Sequence, residues 1–227
     1  MFDSYLYIGL PFFGACFGLA IATSLQQLKW NVQPLLLAFS GAFLISITLF
    51  ELLPKVYHAP DFVPGYWIIG GILLQIGLEL FSRGVEQGHA HAQKTHRFPW
   101  LLWASLSLHA FIEGIPMAAI PQLAWGLMIH KIPITIAIYS LLVPHNKGNS
   151  MMHYLPIIIF ALLTPLGGLL GSFFSSTYLF QIPTTALVIG ILLHIGTTIL
   201  FESNEGHRFT GAKMLAIILG FVLGGSI

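Results

Sequence analysis

Two short polar clusters, each within a long apolar stretch, carry the side chains best suited to chemistry. The first is His109-x-x-x-Glu113 and the second is His130-Lys131. An ionised side chain inside a bilayer costs at least a few kcal/mol unless it is paired, hydrated or bound to an ion, so these residues need partners. Imidazole nitrogen and carboxylate oxygen together suit a divalent transition metal. The clusters therefore predict a metal site inside a membrane.

The composition indicates a membrane protein. Of the 227 residues, 56% are hydrophobic and only 7% are charged, and the mean hydropathy is +0.84. Soluble domains carry about 25% charged residues, so a water-soluble fold does not fit. A net charge of +1 argues against a nucleic-acid partner, which would require a basic face. The single cysteine, Cys16, excludes a disulfide framework.

The apolar stretches predict an all-α, polytopic fold in one domain. A transmembrane helix needs about 20 mostly apolar residues. The sequence predicts eight such helices, at about 5–25, 33–54, 65–83, 100–120, 122–143, 154–175, 182–201 and 211–227.

The basic residues predict the orientation of these helices. Cytoplasmic loops of membrane proteins carry an excess of Lys and Arg. With Lys131 set aside because it falls well inside a span, one side of the predicted topology has only Lys55. The other side has, in its loops or at the adjoining span ends, Lys29, Arg83, Lys94, Arg97, Lys147, Arg208 and Lys213. We therefore expect both termini to be extracytoplasmic and the histidine-containing loop 84–98 to be cytoplasmic.

The fourth and fifth predicted spans meet at Pro121-Gln122 and must be antiparallel neighbours. Glu113 lies about eight residues before this turn and His130 about eight after it, so at 1.5 Å per residue both lie roughly 13 Å below the outer edge. His109 precedes Glu113 by four residues and shares its helix face. Two imidazoles and a carboxylate can thus converge, and with water they suit tetrahedral Zn²⁺; Fe²⁺ or Mn²⁺ would also be tolerated.

These motifs resemble those of the ZIP (Zrt/Irt-like) family of divalent metal-ion transporters. The resemblance covers nearly the whole chain. The matching segments are His109-x-x-x-Glu113-Gly114 for the fourth-span signature, His130-Lys131-Ile132-Pro133 for the fifth-span His-x-x-Pro, Glu51-Leu-Leu-Pro54 for His-Leu-Leu-Pro-Glu in the second span, and Thr164-Pro165-Leu166-Gly167 for the sixth-span Pro-Leu-Gly.

The resemblance implies an importer that moves Zn²⁺ or a related cation toward the cytoplasm. It also implies two adjacent metal positions and the sliding of a bundle, made of spans one, four, five and six, against the remainder. By this resemblance, His109, Glu113 and His130 are the ligands of the primary metal position.

The chain departs from the family pattern at the second metal position. Many members have an Asn or Ser where this chain has Ala110, an acidic residue or His where it has Lys131, and a Glu where it has Ile134. We therefore expect one metal ion, with the Lys131 ammonium in place of the second and paired with Glu113. Fewer anionic ligands predict weaker binding or altered selectivity.

Other polar residues are candidates along the pathway. Glu51 is a candidate ligand at the entrance, with an interfacial carboxylate as the alternative. His194 is a candidate gating or exit ligand, or a hydrogen-bonding partner of a neighbouring helix. His89 and His91 in the 84–98 loop, together with Glu202, are candidates for receiving the ion at the exit, with an ordinary solvated loop as the alternative.

The sequence therefore predicts a transporter rather than an enzyme, with Zn²⁺ as its substrate ion and Fe²⁺, Mn²⁺ or Cd²⁺ as other candidates. Its partners would be the metal ion and the lipid bilayer, and a homodimer is left open. A bacterial inner membrane is the expected location. One alternative is a homologue that binds or senses metal without transport. A less supported one is an intramembrane zinc hydrolase, since the chain has no His-Glu-x-x-His motif.

Overall fold

A computed structural model describes residues 2–24, 33–82, 85, 98–143, 151–174, 177–202 and 210–227. No strand occurs among these residues, which agrees with the predicted all-α class. The α-helices are α1 (Phe2–Ser24), α2 (Gln33–Ile47), α3 (Leu53–Tyr57), α4 (Pro64–Ser82), α5 (Trp100–Gly114), α6 (Pro121–Leu142), α7 (Met151–Phe173), α8 (Tyr178–Glu202) and α9 (Gly211–Gly224).

The helices have the lengths and composition of a polytopic membrane protein. Among the described residues, seven helical stretches are long and apolar enough to cross a bilayer, and the second of them runs continuously from Gln33 to Tyr57. The last helix, α9, is apolar but only 14 residues long, shorter than the roughly 20 residues that a span needs. The prediction of an eighth span therefore stays a prediction.

A π-helical segment, Thr48–Leu52, joins α2 to α3 within the second span, which the sequence predicted at about 33–54. The backbone N–H of Leu53 donates to the carbonyl of Thr48, five residues earlier. Pro54 follows directly and has no N–H to donate, so the carbonyl of Phe50 loses its usual α-helical partner. Such single-turn π segments are frequent at functional sites.

Eight of the nine α-helices in the described part of the chain pack in two groups of four, and the short α3 contacts α8. In the first, which we call the site group, α1 packs against α6 and α7, and α5 packs against α7. In the second, the flanking group, α2 packs against α8 and α9, and α4 packs against α8. The two groups meet mainly where α2 contacts α6 and where α4 contacts α5.

Within each group, glycines allow helix backbones to touch. A Cβ added at Gly71 on α4 would overlap the carbonyl oxygen of Leu187 on α8. A Cβ added at Gly14 on α1 would overlap the carbonyl oxygen of Met128 on α6. Small residues at such positions let helices approach closely in lipid, where no hydrophobic effect drives them together.

The contact between the two groups at Gly126 is of a different kind. Gly126 lies on α6 and faces α2, and a Cβ added there would meet the side-chain methyls of Ile47 and Leu44 at 3.0 and 3.1 Å. Flexible side-chain ends rather than backbone thus form this boundary. Within each group the helix backbones are therefore in direct contact, whereas the two groups meet at Gly126 through side chains.

Two adjacent glycines on α4 test this packing. Gly71→Ala should destabilise the protein by about 1–3 kcal/mol, because the new methyl group would push α4 away from α8. Gly70 has no atom within 4 Å of a Cβ built there, so Gly70→Ala is the matched control and should not lower Tm, since Ala is the better helix former. Thermal unfolding in detergent measures both, and equal Tm values for the two variants would contradict the packing.

Candidate metal centre

The α5–α6 hairpin positions the candidate ligands. A short 3₁₀ segment, Ile115–Ala118, follows α5, and α6 begins at Pro121. Proline suits the first turn of a helix because its missing N–H would have no partner there. The tight connection makes α5 and α6 antiparallel, as the sequence predicted, so residues equally far from the turn lie at similar depth.

The structure brings the three predicted ligands together. One donor atom from each of His109, Glu113 and His130 lies within 4.8 Å of the other two. The exposed fraction is 1% for His109 and 0% for both Glu113 and His130. The cluster is therefore enclosed by protein.

The carboxylate of Glu113 is paired with a lysine. Its Oε1 contacts Nζ of Lys131, which is the pairing expected from the sequence, and Lys131 is itself fully buried. The ammonium also lies 4.8 Å from the ring centroid of Phe160, within the range of a cation–π interaction. The hydroxyl of Thr164 donates to the carbonyl of Ala110 at 2.8 Å and lies 3.4 Å from Oε1.

Close helix packing brings Thr164 to this carboxylate. A Cβ added at Gly114 on α5 would overlap the carbonyl oxygen of Thr164 on α7. A Cβ added at Gly167 on α7 would likewise overlap the carbonyl oxygen of Phe111 on α5. Larger residues at these positions would separate the helices beside Glu113.

His109 is oriented by a residue of the flanking group. Its Nδ1 lies 3.1 Å from Oε1 of Gln75 on α4, so Nδ1 carries the proton that is donated. In the neutral ring, Nε2 then holds a lone pair, and this atom lies 3.0 Å from Oε2 of Glu113. Among the described residues, neither Nε2 nor Oε2 has another hydrogen-bond partner. A lone pair facing a carboxylate is stable only with a cation between them, either a proton or a metal ion.

Both ring nitrogens of His130 are buried and lack a hydrogen-bond partner among the described residues. A buried polar group left unsatisfied costs about 1–3 kcal/mol, so an imidazole in this state is well suited to bind an ion.

Two clusters of buried apolar side chains include residues of the hairpin on either side of the ligand positions. Toward the turn, one cluster includes Phe43, Ile47, Met117, Leu123 and Leu127, and toward the other end the second includes Leu106, Ile134, Ala137 and Ile138, each at most 2% exposed. The three ligands are themselves at most 1% exposed, so an ion bound to them would be enclosed by protein.

Glu51 lies apart from this cluster. It is half-buried in the π-helical segment, and the three-residue group that could hold an ion does not include it. The nearby Lys55 donates to the carbonyl of Ala119 at 2.6 Å, so it links the end of the second span to the α5–α6 turn.

The other pathway candidates also lie apart. Nε2 of His194 on α8 lies 2.8 Å from Oε2 of Glu79 on α4, which is the interhelical hydrogen bond that the sequence analysis gave as the alternative. His89 and His91 lie outside the described residues. Glu202 ends α8, and its side chain lies outside the described part of the structure.

Sequence reasoning missed three contacting residues. Gln75 and Glu79 are four residues apart in an otherwise apolar span, so they share a helix face, and this spacing could have identified α4 as a partner of the histidines. Thr164 gave no such signal, because a threonine in a span can satisfy its hydroxyl within its own helix.

A comparison of the sequence with models of known protein families and with curated proteins finds no match. The chemical interpretation of the cluster therefore rests on its residues and their geometry.

Replacement of Lys131 tests the electrostatics of the cluster. Lys131→Met should lower the free energy of unfolding by about 3–5 kcal/mol, because it leaves the Glu113 carboxylate buried without its cation. Zn²⁺ should restore more stability to this variant than to the wild type, since the dication can replace the ammonium. Thermal unfolding in detergent with and without Zn²⁺ measures both effects.

Lys213→Met is the control, because Lys213 is a second buried lysine and lies on α9, away from the cluster. It should leave the response to Zn²⁺ as in the wild type. An equal gain from Zn²⁺ in wild type and Lys131→Met would contradict the assigned role of Lys131.

Proposed function

We propose that this chain carries a divalent transition-metal cation across a membrane, and that His109, Glu113 and His130 bind the cation on its way. The observation that carries the proposal is the convergence of three buried donor atoms within 4.8 Å inside a bundle of membrane-length helices. Ionisable residues at such positions mark ion pathways.

Zn²⁺ is the ion that this donor set fits best. Zinc accepts imidazole nitrogen and carboxylate oxygen at about 2.0–2.2 Å and readily keeps a water molecule as a further ligand. Ligands of one tetrahedral zinc are about 3.3 Å apart, close to the 3.0 Å between His109 Nε2 and Glu113 Oε2. Fe²⁺, Mn²⁺ and Cd²⁺ are further candidates, because geometry and availability rather than affinity alone separate such ions.

The contact between Lys131 and Glu113 supports a single metal position. The ammonium occupies one side of the carboxylate, and its charge would repel a second cation. With both histidines neutral, the charges of Lys131 and Glu113 cancel, so a dication is held mainly by ligand bonds. Weak binding of this kind suits a transport site, because a transported ion must dissociate again.

Movement of the site group relative to the flanking group would allow the bound ion to be released. Since the ligands are buried, an ion could leave only after helices move, and we place that movement at the boundary between the two groups, where side-chain ends meet at Gly126. The ZIP resemblance assigns the same helices, α1, α5, α6 and α7, to a sliding bundle. The resemblance, together with the predicted eight-span topology with extracytoplasmic termini, favours import into the cytoplasm across a bacterial inner membrane.

Metal flux in proteoliposomes tests the proposal. Purified protein should carry Zn²⁺ into vesicles loaded with a zinc-sensitive dye, and Glu113→Gln should reduce the flux to that of empty vesicles, because the amide is neutral and a weak ligand. Glu79→Gln changes a carboxylate on α4 that pairs with His194 and lies outside the cluster, so it should retain most of the flux.

The same preparation separates the rival functions. Zn²⁺ binding in detergent without flux would overturn transport in favour of a binding or sensing role. Turnover of lipid or peptide substrates without flux would favour a hydrolase. Absence of Zn²⁺ binding by the wild type would overturn the metal site itself.

A further inference from the structure

We infer that Gln75 is a positioning residue that strengthens His109 as a metal ligand only while the two helix groups lie as they do in this structure. The inference rests on the proposed function and concerns how binding and release are regulated. It would make the affinity of the cluster depend on the relative position of the site group and the flanking group.

Gln75 acts on His109 through a buried hydrogen bond. Its side chain is 0% exposed, although α4 as a whole is among the least buried helices, with 22% of its span inside the protein. By accepting the Nδ1 proton at 3.1 Å, the amide oxygen keeps the Nε2 lone pair directed at the cluster. An acceptor of this kind fixes the tautomer of a ligating histidine and raises its basicity, and its loss typically reduces metal affinity 10–100-fold.

This hydrogen bond crosses the boundary between the groups. Gln75 belongs to α4, which is held to α8 by direct backbone contact at Gly71 and Gly190. His109 belongs to α5, which is held to α7 by direct backbone contact at Gly114. The amide and the imidazole are thus anchored to different groups, and any sliding of one group past the other displaces them relative to each other.

The hydrogen bond between Gln75 and His109 tolerates little change in distance, so a small displacement of one helix group is enough to break it. A hydrogen bond is lost once the heavy atoms move beyond about 3.5 Å, whereas a shift of one helical turn is about 5.4 Å. After such a shift His109 would lack its acceptor and bind the ion less tightly. The cation would therefore be held firmly in the enclosed arrangement and loosely in the arrangement that releases it.

The test uses the full-length protein and Zn²⁺ alone as the probe. Gln75→Leu keeps the size of the side chain but removes the acceptor, and it should raise the Kd for Zn²⁺ by about 10–100-fold. Gln75→Glu keeps an acceptor and should bind Zn²⁺ at least as tightly as the wild type. Nitrogen NMR of the His109 ring should show the Nδ1-protonated tautomer in the wild type and its loss in Gln75→Leu.

Transport kinetics test the dependence on position. Because the bond is already broken in the releasing arrangement, Gln75→Leu should raise KM for Zn²⁺ without lowering kcat. A fall in kcat at unchanged KM would overturn the inference.

Ser105→Ala is the matched control at the same helix contact. The hydroxyl of Ser105 on α5 donates to the carbonyl of Leu78 on α4 at 2.6 Å, so this variant removes a second hydrogen bond between α4 and α5 without touching His109. It should leave the Kd for Zn²⁺ and the His109 tautomer unchanged.

Two outcomes would overturn the inference while leaving the metal site intact. One is an equal weakening of Zn²⁺ binding by Ser105→Ala and Gln75→Leu, and the other is no effect of Gln75→Leu on either the Kd or the tautomer. A wild type that binds no Zn²⁺ would instead overturn the proposed function.

Discussion

A carboxylate enclosed by apolar helices has no water to solvate it, and Glu113 is in that position. Residues on three helices replace the interactions that water would otherwise make with this carboxylate. Lys131 on α6 supplies a positive charge, Thr164 on α7 places its hydroxyl beside the carboxylate, and His109 shares its helix face. These contacts require α5 to pack closely on α7 and α6 to lie within reach of a lysine side chain at this depth.

The resulting balance of charge explains how one cluster could both hold and release a dication. Glu113 is already neutralised by Lys131, so an arriving metal ion gains ligand bonds to two imidazoles and one carboxylate oxygen but little net Coulomb attraction. A cluster with several unpaired carboxylates would attract a dication more strongly and release it less readily. The proposed site therefore favours exchange of the ion over its storage.

Much of the cluster followed from the sequence because its geometry is local. The four-residue spacing of His109 and Glu113 and the proline-bounded turn place three ligands at one depth whatever surrounds them. The pairing of Lys131 with Glu113 was expected from the ZIP resemblance, because Lys131 stands where many members have an acidic residue or His. The roles of Gln75 and Glu79 were missed, because which helices touch α5 and α8 is decided by packing between distant parts of the chain. The π-helical segment beside Pro54 was missed because hydropathy does not register a change in hydrogen-bond spacing.

X-ray absorption at the zinc edge of the zinc-loaded protein reports the ligands of the ion itself. If His109, Glu113 and His130 bind it, we expect one zinc per chain, with two imidazole nitrogens and carboxylate or water oxygen at about 2.0–2.2 Å. A sulfur shell at about 2.3 Å, which would indicate cysteine, or a spectrum without imidazole scattering would contradict it.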